Sequence, residues 1–491
     1  MEIIHATKGP SLEEMREYFV NPDDPQSAED LARLGANSIK AMAQIYVAGG
    51  NIEAMSPDIK DWLSCPSNSK SDLEKVMAEM LKRESTTRRF DHRFMGQIHP
   101  QGSKIGILGN LVAAYMNTNR VFSGVSKPEA EMEKESIVWL SEMFGLDPEL
   151  SGGNITTGGT TANIEALWIA RNKKLAEMKT NLRKNEKPLY IFVSNWRHYS
   201  IDKACSILGL RLVTVPSIGF KIDTGALKQR VERIERAGGE IAAIVGIAGE
   251  TETGMIENLG KLADIAFEHD AFFHVDAAYG GPFILTDRAE KFSGIERADS
   301  ITVDPHKMLY TSYPAGCLLL KDNNDHAYIA KDHTTRYLRA VTPRVEGSMS
   351  SAGAISTWAT KELLGDKGIA ALLNHTLALT QFAYEEISKS DILRPVFEPE
   401  LNTILVGLNE KLELSPGKTR EVLKLVEDQA NEQKPKASYI SRNEDIDNGK
   451  DALRFIAVHP FTTESDIKAL LTQVEDRIRT ELKKHNDNRI D

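Results

Sequence analysis

Between residues 189 and 303, short apolar runs alternate with segments of helical periodicity, and few architectures accommodate such alternation. Runs at 189–193, 212–215, 241–247 and 272–275 have the length and apolar content of strands buried on both faces. Segments at 200–208, 224–237 and 259–269 read as helices between them. Gly238 and Gly239 stop one helix, and Asn258 caps the next. Strand–helix repetition of this kind predicts a mostly parallel sheet covered by helices on both faces. Ligands of such sheets bind beyond the carboxyl ends of the strands, so the residues just after each apolar run are where chemistry is expected.

Two of those ends are unusual. Ser300-Ile301-Thr302-Val303 runs into Asp304-Pro305-His306-Lys307. Proline removes a donor and biases its predecessor away from helix, which ends the strand and leaves His306 and Lys307 in a loop facing a cleft. A lysine there, partly desolvated, is a candidate nucleophile toward a carbonyl. A solvated lysine after a turn is the plain alternative. Upstream, Phe272-Phe273-His274-Val275 leads to Asp276, then to Ala277, Ala278 and a glycine pair. A carboxylate ending a buried strand needs a cation or a hydrogen bond. A protonated pyridine nitrogen is such a cation, and the two alanines leave room for a flat ring. Lysine and aspartate together are what pyridoxal 5'-phosphate requires. Gly158-Gly159-Thr160-Thr161 precedes a helical stripe of Ile164, Leu167 and Trp168. Glycines and hydroxyls at a helix start suit a phosphate.

These blocks resemble the group II pyridoxal-phosphate amino-acid decarboxylases, which include glutamate, aromatic-amino-acid and tyrosine decarboxylases. The resemblance runs from about 89 to 478 and is carried by blocks at 154–171, 194–204, 249–259, 274–281 and 299–307. It implies a fold-type I α/β enzyme with an N-terminal helical arm at 1–85, a large cofactor-binding domain at 86–366 and a small C-terminal α+β domain at 367–491. It implies an L-amino-acid decarboxylase that releases carbon dioxide and a primary amine. By resemblance Lys307 is the Schiff-base lysine, Asp276 faces the ring nitrogen and His198 stacks on the ring. Gly159, Thr160 and Thr161 suit the phosphate, Thr251 the phenolic oxygen, and Ala278, Ser300 and His306 complete the cofactor site. The glutamates flanking Thr251 are expected to point to solvent.

Gln97 occupies the place of a substrate-pocket glutamine, and Arg454 suits a substrate carboxylate as a bidentate fork. The polar stretch 326–346 corresponds to a mobile loop whose tyrosine returns a proton to the substrate carbon, with Tyr337 the first candidate and Tyr328 the second. Related lyases carry arginine near Met349. Its absence here counts against a carbon–carbon lyase of the sphingosine-phosphate type. Asp304-Pro305-His306-Lys307 and Glu346-Gly347-Ser348 look more like tyrosine decarboxylases, while Gln97 and Asn117-Thr118-Asn119 look more like glutamate decarboxylases. The expected substrate is tyrosine or another aromatic amino acid, with aspartate or glutamate as the alternative. The arm implies a homodimer with a shared active site.

Composition narrows the partners. A net charge of −11 over 491 residues argues against nucleic acid and anionic membranes. No apolar run approaches the roughly 20 residues of a membrane span. Met1-Glu2-Ile3-Ile4-His5 lacks the basic start of a secretory signal. Cys65, Cys205 and Cys317 are widely spaced, which suggests reduced thiols in the cytoplasm and no metal site.

Overall fold

The computed structural model describes residues 25–47, 51, 54–57, 59–60, 72–84, 92–121, 124, 126–330, 343–432, 441–447 and 449–487. Tyr337 lies outside the described residues. The chain separates into two compact units, residues 1–89 with 431–437, and residues 90–430 with 438–491. In the first, helices α1 (Pro25–Val47) and α2 (Asp72–Glu84) contribute to a small core of Ala41, Met55, Ile59, Ala78 and Leu81. Ile39, Met42, Val76 and Met80 on the same helices stay exposed.

The second unit begins with α3 (Lys104–Met116) and α4 (Lys127–Met143). Ser103 caps α3 by accepting from the Gly106 N–H at 3.2 Å, and Asn117 ends it in the left-handed conformation. The large sheet follows, with strands β1 (Gly152–Thr156), β2 (Leu189–Ser194), β3 (Arg211–Val215), β4 (Glu240–Ile247), β5 (Phe272–Asp276), β6 (Ser300–Val303) and β7 (Gly316–Leu320). Their order across the sheet is β1-β7-β6-β5-β4-β2-β3. Only β7 runs against its neighbours, pairing antiparallel with both β1 and β6. The carboxyl ends of β1, β2, β4, β5 and β6 therefore meet at one edge, with the start of β7 among them.

Helices α5 (Gly159–Glu177), α6 (Tyr199–Leu208), α7 (Thr224–Arg236) and α8 (Leu259–Glu268) fall between the strands. Successive strand residues point to opposite faces. Ile191, Val193 and Val245 thus join Ala162, Ala166 and Ile201 in one core, while Phe192, Ile244 and Phe273 join Leu227, Val231 and Leu262 in the other. This is the three-layer arrangement that the alternating pattern predicts.

Helix α9 (Ala352–Ser388) is broken at Gly365, whose φ of 54° lies outside the helical region. It leads to a four-stranded antiparallel sheet of β8 (Leu393–Pro395), β9 (Thr403–Leu408), β10 (Ser441–Asp447) and β11 (Lys450–Ile456), in the order β8-β9-β11-β10. Helices α10 (Pro416–Glu432) and α11 (Glu464–Asp487) pack against it through Val422, Leu423, Leu470 and Val474. Glycines hold α3 against α9: a Cβ at Gly109 would lie 2.8 Å from the Ser356 Cα. The other face of α3 leaves Leu108, Leu111, Val112, Tyr115 and Met116 exposed.

A buried ion pair fixes β1. Arg120 Nη1 meets Glu133 Oε1 at 2.5 Å, Arg120 Nη2 donates to the Ile155 carbonyl at 3.0 Å, and the Ile155 N–H donates to the same Glu133 oxygen at 2.8 Å. Removing one partner leaves a charge buried without compensation, which costs about 3–5 kcal/mol. Glu133→Ala should lower the stability of the folded chain by about that amount, read from its denaturant midpoint. A loss below about 1 kcal/mol would mean that the pair does not anchor this strand.

Candidate active site

Five strand ends converge on a cavity of about 350 Å³. The turn after β1 enters it first. Gly158 sits where β7 begins, and a Cβ at Gly316 would fall 2.4 Å from the Gly158 Cα, so the strand start can approach only as glycine. Gly159 opens α5 against Asp304 and Ala278, where a Cβ would lie 2.9 Å from Asp304 Oδ2. Thr160 and Thr161 line the cavity from the first turn of α5, whose leading N–H groups lack partners within a helix. Thr157 is otherwise engaged, since its N–H and hydroxyl both donate to Glu346 Oε1, at 3.2 and 2.6 Å.

Asp276 ends β5 at the floor of the cavity. One carboxylate oxygen accepts from Asn163 Nδ2 at 2.8 Å and the other from the Ala278 N–H at 3.2 Å. His198 lines the opposite wall at the start of α6. Burial pulls its imidazole below the usual range, against the opposing pull of Asp276. Lys307 Nζ stands 3.0 Å from Asp304 Oδ2, while Asp304 Oδ1 is buried with no hydrogen-bond partner among the described residues. His306 is pinned: its ring stacks on Tyr313 at 3.7 Å, Nδ1 accepts from the Ala315 N–H at 3.1 Å, and burial pushes it down to about 4.

Several expected residues thus share one cavity: Gly159, Thr160, Thr161, His198, Thr251, Asp276, Ala278, His306 and Lys307. Ser300 does not join them. It opens β6, at the end of a parallel strand remote from the cleft, and its hydroxyl lies 2.8 Å from His274 Nδ1. Gln97 is exposed and is not among the lining residues. Arg454 turns its fork to main-chain carbonyls, Thr251 O at 2.9 Å and Gly96 O at 3.1 Å, rather than into the cavity.

Glu250 is a further correction, being 5% exposed rather than in solvent. Its oxygens accept from the Glu252 and Thr253 N–H groups and the Thr253 hydroxyl, and burial pushes its carboxyl up to about 7. Tyr328 is half-buried against the core around α5, beside Lys173, and does not line the cavity.

Sequence reasoning passed over Asn163 as a site residue. A buried amide among Ala162, Ala166 and Leu167 on a helix that starts at the glycine turn was the available signal, because such an amide needs partners. The aromatic lining of Trp196, Tyr199 and Tyr313 carried no comparable mark.

A phosphorylated pyridine fits this arrangement. The glycine turn would be filled by any side chain, the α5 start offers donors to a phosphate, Asp276 can face a ring nitrogen and Lys307 can reach a carbonyl.

Known proteins agree. The pyridoxal-dependent decarboxylase conserved domain matches residues 63–407. The L-tyrosine/L-aspartate decarboxylase of Methanocaldococcus jannaschii is 31% identical over 312 residues, covering 61% of this chain and 76% of that protein. The aromatic-L-amino-acid decarboxylase of Bacillus atrophaeus is 26% identical over 309 residues, covering 59% and 62% respectively. The fold recurs in the glutamate decarboxylase domain of a diaminobutyrate-pyruvate transaminase and L-2,4-diaminobutyrate decarboxylase from Vibrio parahaemolyticus. That structure superposes with a TM-score of 0.80 at 23% identity over 95% of this chain and 99% of that one. With a family match across most of its length, this chain belongs to the pyridoxal-dependent decarboxylases and is a carboxy-lyase that uses pyridoxal phosphate to release carbon dioxide from an amino acid.

Proposed function

We propose that the substrate is an aromatic L-amino acid, tyrosine first. The observation that carries this reading is one cavity holding Lys307 and Asp276 whose rim includes the rings of Trp196, Tyr199 and Tyr313, the last two about half exposed. The relatives that act on tyrosine and on aromatic amino acids support it. Aspartate, named alongside tyrosine for one relative, is the competing substrate.

Bound pyridoxal phosphate supplies an electron sink for the bond to the departing carboxylate. The chain supplies the rest. Lys307 Nζ, placed by Asp304, is the amine that holds the cofactor covalently. Asp276 would keep a proton on the ring nitrogen, and its two donors, Asn163 and the Ala278 N–H, hold the carboxylate in place. His198 would cover the ring, Ala278 would leave it room, and Gly159, Thr160 and Thr161 would take the phosphate. Thr251, its carbonyl tied to Arg454, would serve the phenolic oxygen. Pinned by Tyr313 and Ala315, His306 fixes the loop from which Lys307 reaches. Tyr337 returns a proton to the substrate carbon.

We further propose a cytoplasmic homodimer in which the partner completes the site. The apolar face of α3 adjoins the cleft, because Asn110 Nδ2 donates to the Tyr313 carbonyl at 2.6 Å. Exposed apolar faces of this extent mark protein interfaces, and α1 and α2 carry exposed apolar residues of their own. Cys205 and Cys317 are free and buried, as suits a reducing compartment.

Borohydride reduction of the purified holoenzyme should fix the cofactor to the peptide containing Lys307, and the same preparation should release carbon dioxide from L-tyrosine faster than from L-aspartate. A label on another lysine, or the reverse order of substrates, would overturn the corresponding assignment.

Tyr337→Phe should leave cofactor binding and carbon dioxide release largely intact while amine formation falls roughly 10²- to 10⁴-fold, the usual worth of a positioned general acid. Amine formed at the wild-type rate would remove Tyr337 from this role.

Sedimentation should show a dimer at micromolar concentration, and Leu108→Asp combined with Val112→Asp should dissociate it, since an obligate interface buries more than about 2,000 Å². An active wild-type monomer would sink the dimer. Recovery of the activity in a periplasmic rather than a cytoplasmic fraction would sink the compartment.

A further inference from the structure

Behind the cavity, polar side chains run from β6 to α6 in an unbroken line that the established activity leaves unexplained. Ser300 Oγ lies 2.8 Å from His274 Nδ1, and His274 Nε2 lies 2.9 Å from Asn163 Oδ1. Asn163 Nδ2 reaches both Asp276 Oδ2 at 2.8 Å and Ser200 Oγ at 2.9 Å. Ser200 Oγ in turn lies 2.9 Å from His198 Nδ1. Ser300, His274, Asn163 and Ser200 are all buried to 1% exposure or less, so water does not compete for these bonds.

Each proton in this line has a single place. The Asp276 oxygen facing Asn163 accepts, so the amide must turn its NH₂ group toward it. The amide oxygen then faces His274 Nε2, which must carry a hydrogen. Burial pushes His274 down to about 4, despite the pull of Asp276 and the Ser300 main chain, so near neutral pH the ring has one proton only. Its Nδ1 is bare and accepts from the Ser300 hydroxyl.

In the other direction the second amide hydrogen goes to Ser200 Oγ, which leaves the Ser200 hydroxyl hydrogen to point at His198 Nδ1. The Ser200 main-chain N–H donates to the same nitrogen at 3.3 Å, as an N-cap bond of α6. A nitrogen that accepts two donors carries no proton of its own.

We propose that Asn163, oriented by Asp276 and His274, is a positioning residue that sets the proton order on both walls of the cleft: it aims one N–H at Asp276 and, through Ser200, confines the neutral His198 ring to its Nε2–H form. His198 then offers a donor edge, not a bare nitrogen, as its remaining polar group. Ser300, which does not touch the cavity, acts at the far end of the same line. The consequence for catalysis rests on the reading of Asp276 and His198 as cofactor contacts. The proton order itself does not.

The test reads the tautomer directly. Protein labelled with ¹⁵N-histidine and free of cofactor is examined by long-range proton–nitrogen correlation near pH 7.5, with the His198 signals identified by their loss in His198→Gln. Wild-type His198 should show a pyridine-type Nδ1 and a protonated Nε2. Asn163→Asp sets a second carboxylate against Asp276, with which it shares one proton, and removes the fixed donor to Ser200; the Ser200 hydroxyl can then turn away and leave only the longer main-chain bond on His198 Nδ1, so the Nε2–H form should lose its exclusive population. A protonated Nδ1 in the wild type, or an unchanged pattern in a folded Asn163→Asp protein, would overturn the proposal.

A second pair of variants decides the matter should Asn163→Asp fail to fold. His274→Leu strips the donor from Asn163 Oδ1 and should weaken binding of pyridoxal 5'-phosphate, followed by fluorescence titration, roughly ten- to a hundredfold. His274→Gln restores an N–H there and should bind within severalfold of wild type. Equal losses in both would overturn the positioning role. Because the tautomer is read without cofactor or substrate, its failure leaves the decarboxylase reading untouched, and a different preferred substrate leaves the tautomer result untouched.

Discussion

Asp276 is a carboxylate at the end of a strand whose residues are all buried, and the rest of the site is arranged around making that burial tolerable. An isolated ionised carboxylate in such a place would cost far more than a domain has to spare. Two donors from the chain, Asn163 and the Ala278 N–H, meet part of that demand. A cationic ring in the cavity would meet more of it. On the proposed assignment the strand would favour such a cofactor, since filling the cavity would remove a penalty that the polypeptide alone only partly offsets.

The same logic explains what could be read from residues and what could not. Alternation of apolar runs with helical segments was legible because strands buried on both faces leave a strong compositional trace, and the four runs are strands β2 to β5. Lys307 and Asp276 stood out as charged residues placed directly after apolar runs. Glu250 was misread because an acid is unfavourable beside a phosphate and was therefore expected in solvent, whereas here the loop curls its own N–H groups onto the carboxylate. Ser300 was expected in the cofactor site although it opens its strand. Sequence order places it near Lys307, but four strand residues carry it away from the cleft edge.

Arg454 shows the limit of carrying a residue over by resemblance. The arginine is where the block predicts it, on β11, yet its guanidinium is spent on two carbonyls rather than aimed into the cavity. Side-chain direction depends on neighbours far away in sequence, and no local pattern encodes it. Asn163 illustrates the converse: a residue whose only local signal is an amide among apolar neighbours acquires its importance from two elements, β5 and α6, that converge on it.

The bonds around residues 249–256 also bear on how the chain can be re-engineered. Thr251 is tied to Arg454, Glu252 accepts from Asn443, and the Ile256 N–H donates to Glu400, while Tyr279 bonds to Asn402 and Thr403. Every one of these crosses from the edge of the large sheet to the region that follows α9. A chimaera made by swapping everything after that helix with a relative would therefore cut through the wall of the cleft and not through a neutral linker. Such an exchange must take segment 249–256, Gly96 and Tyr279 along with it, so the C-terminal region is inherited as part of the site.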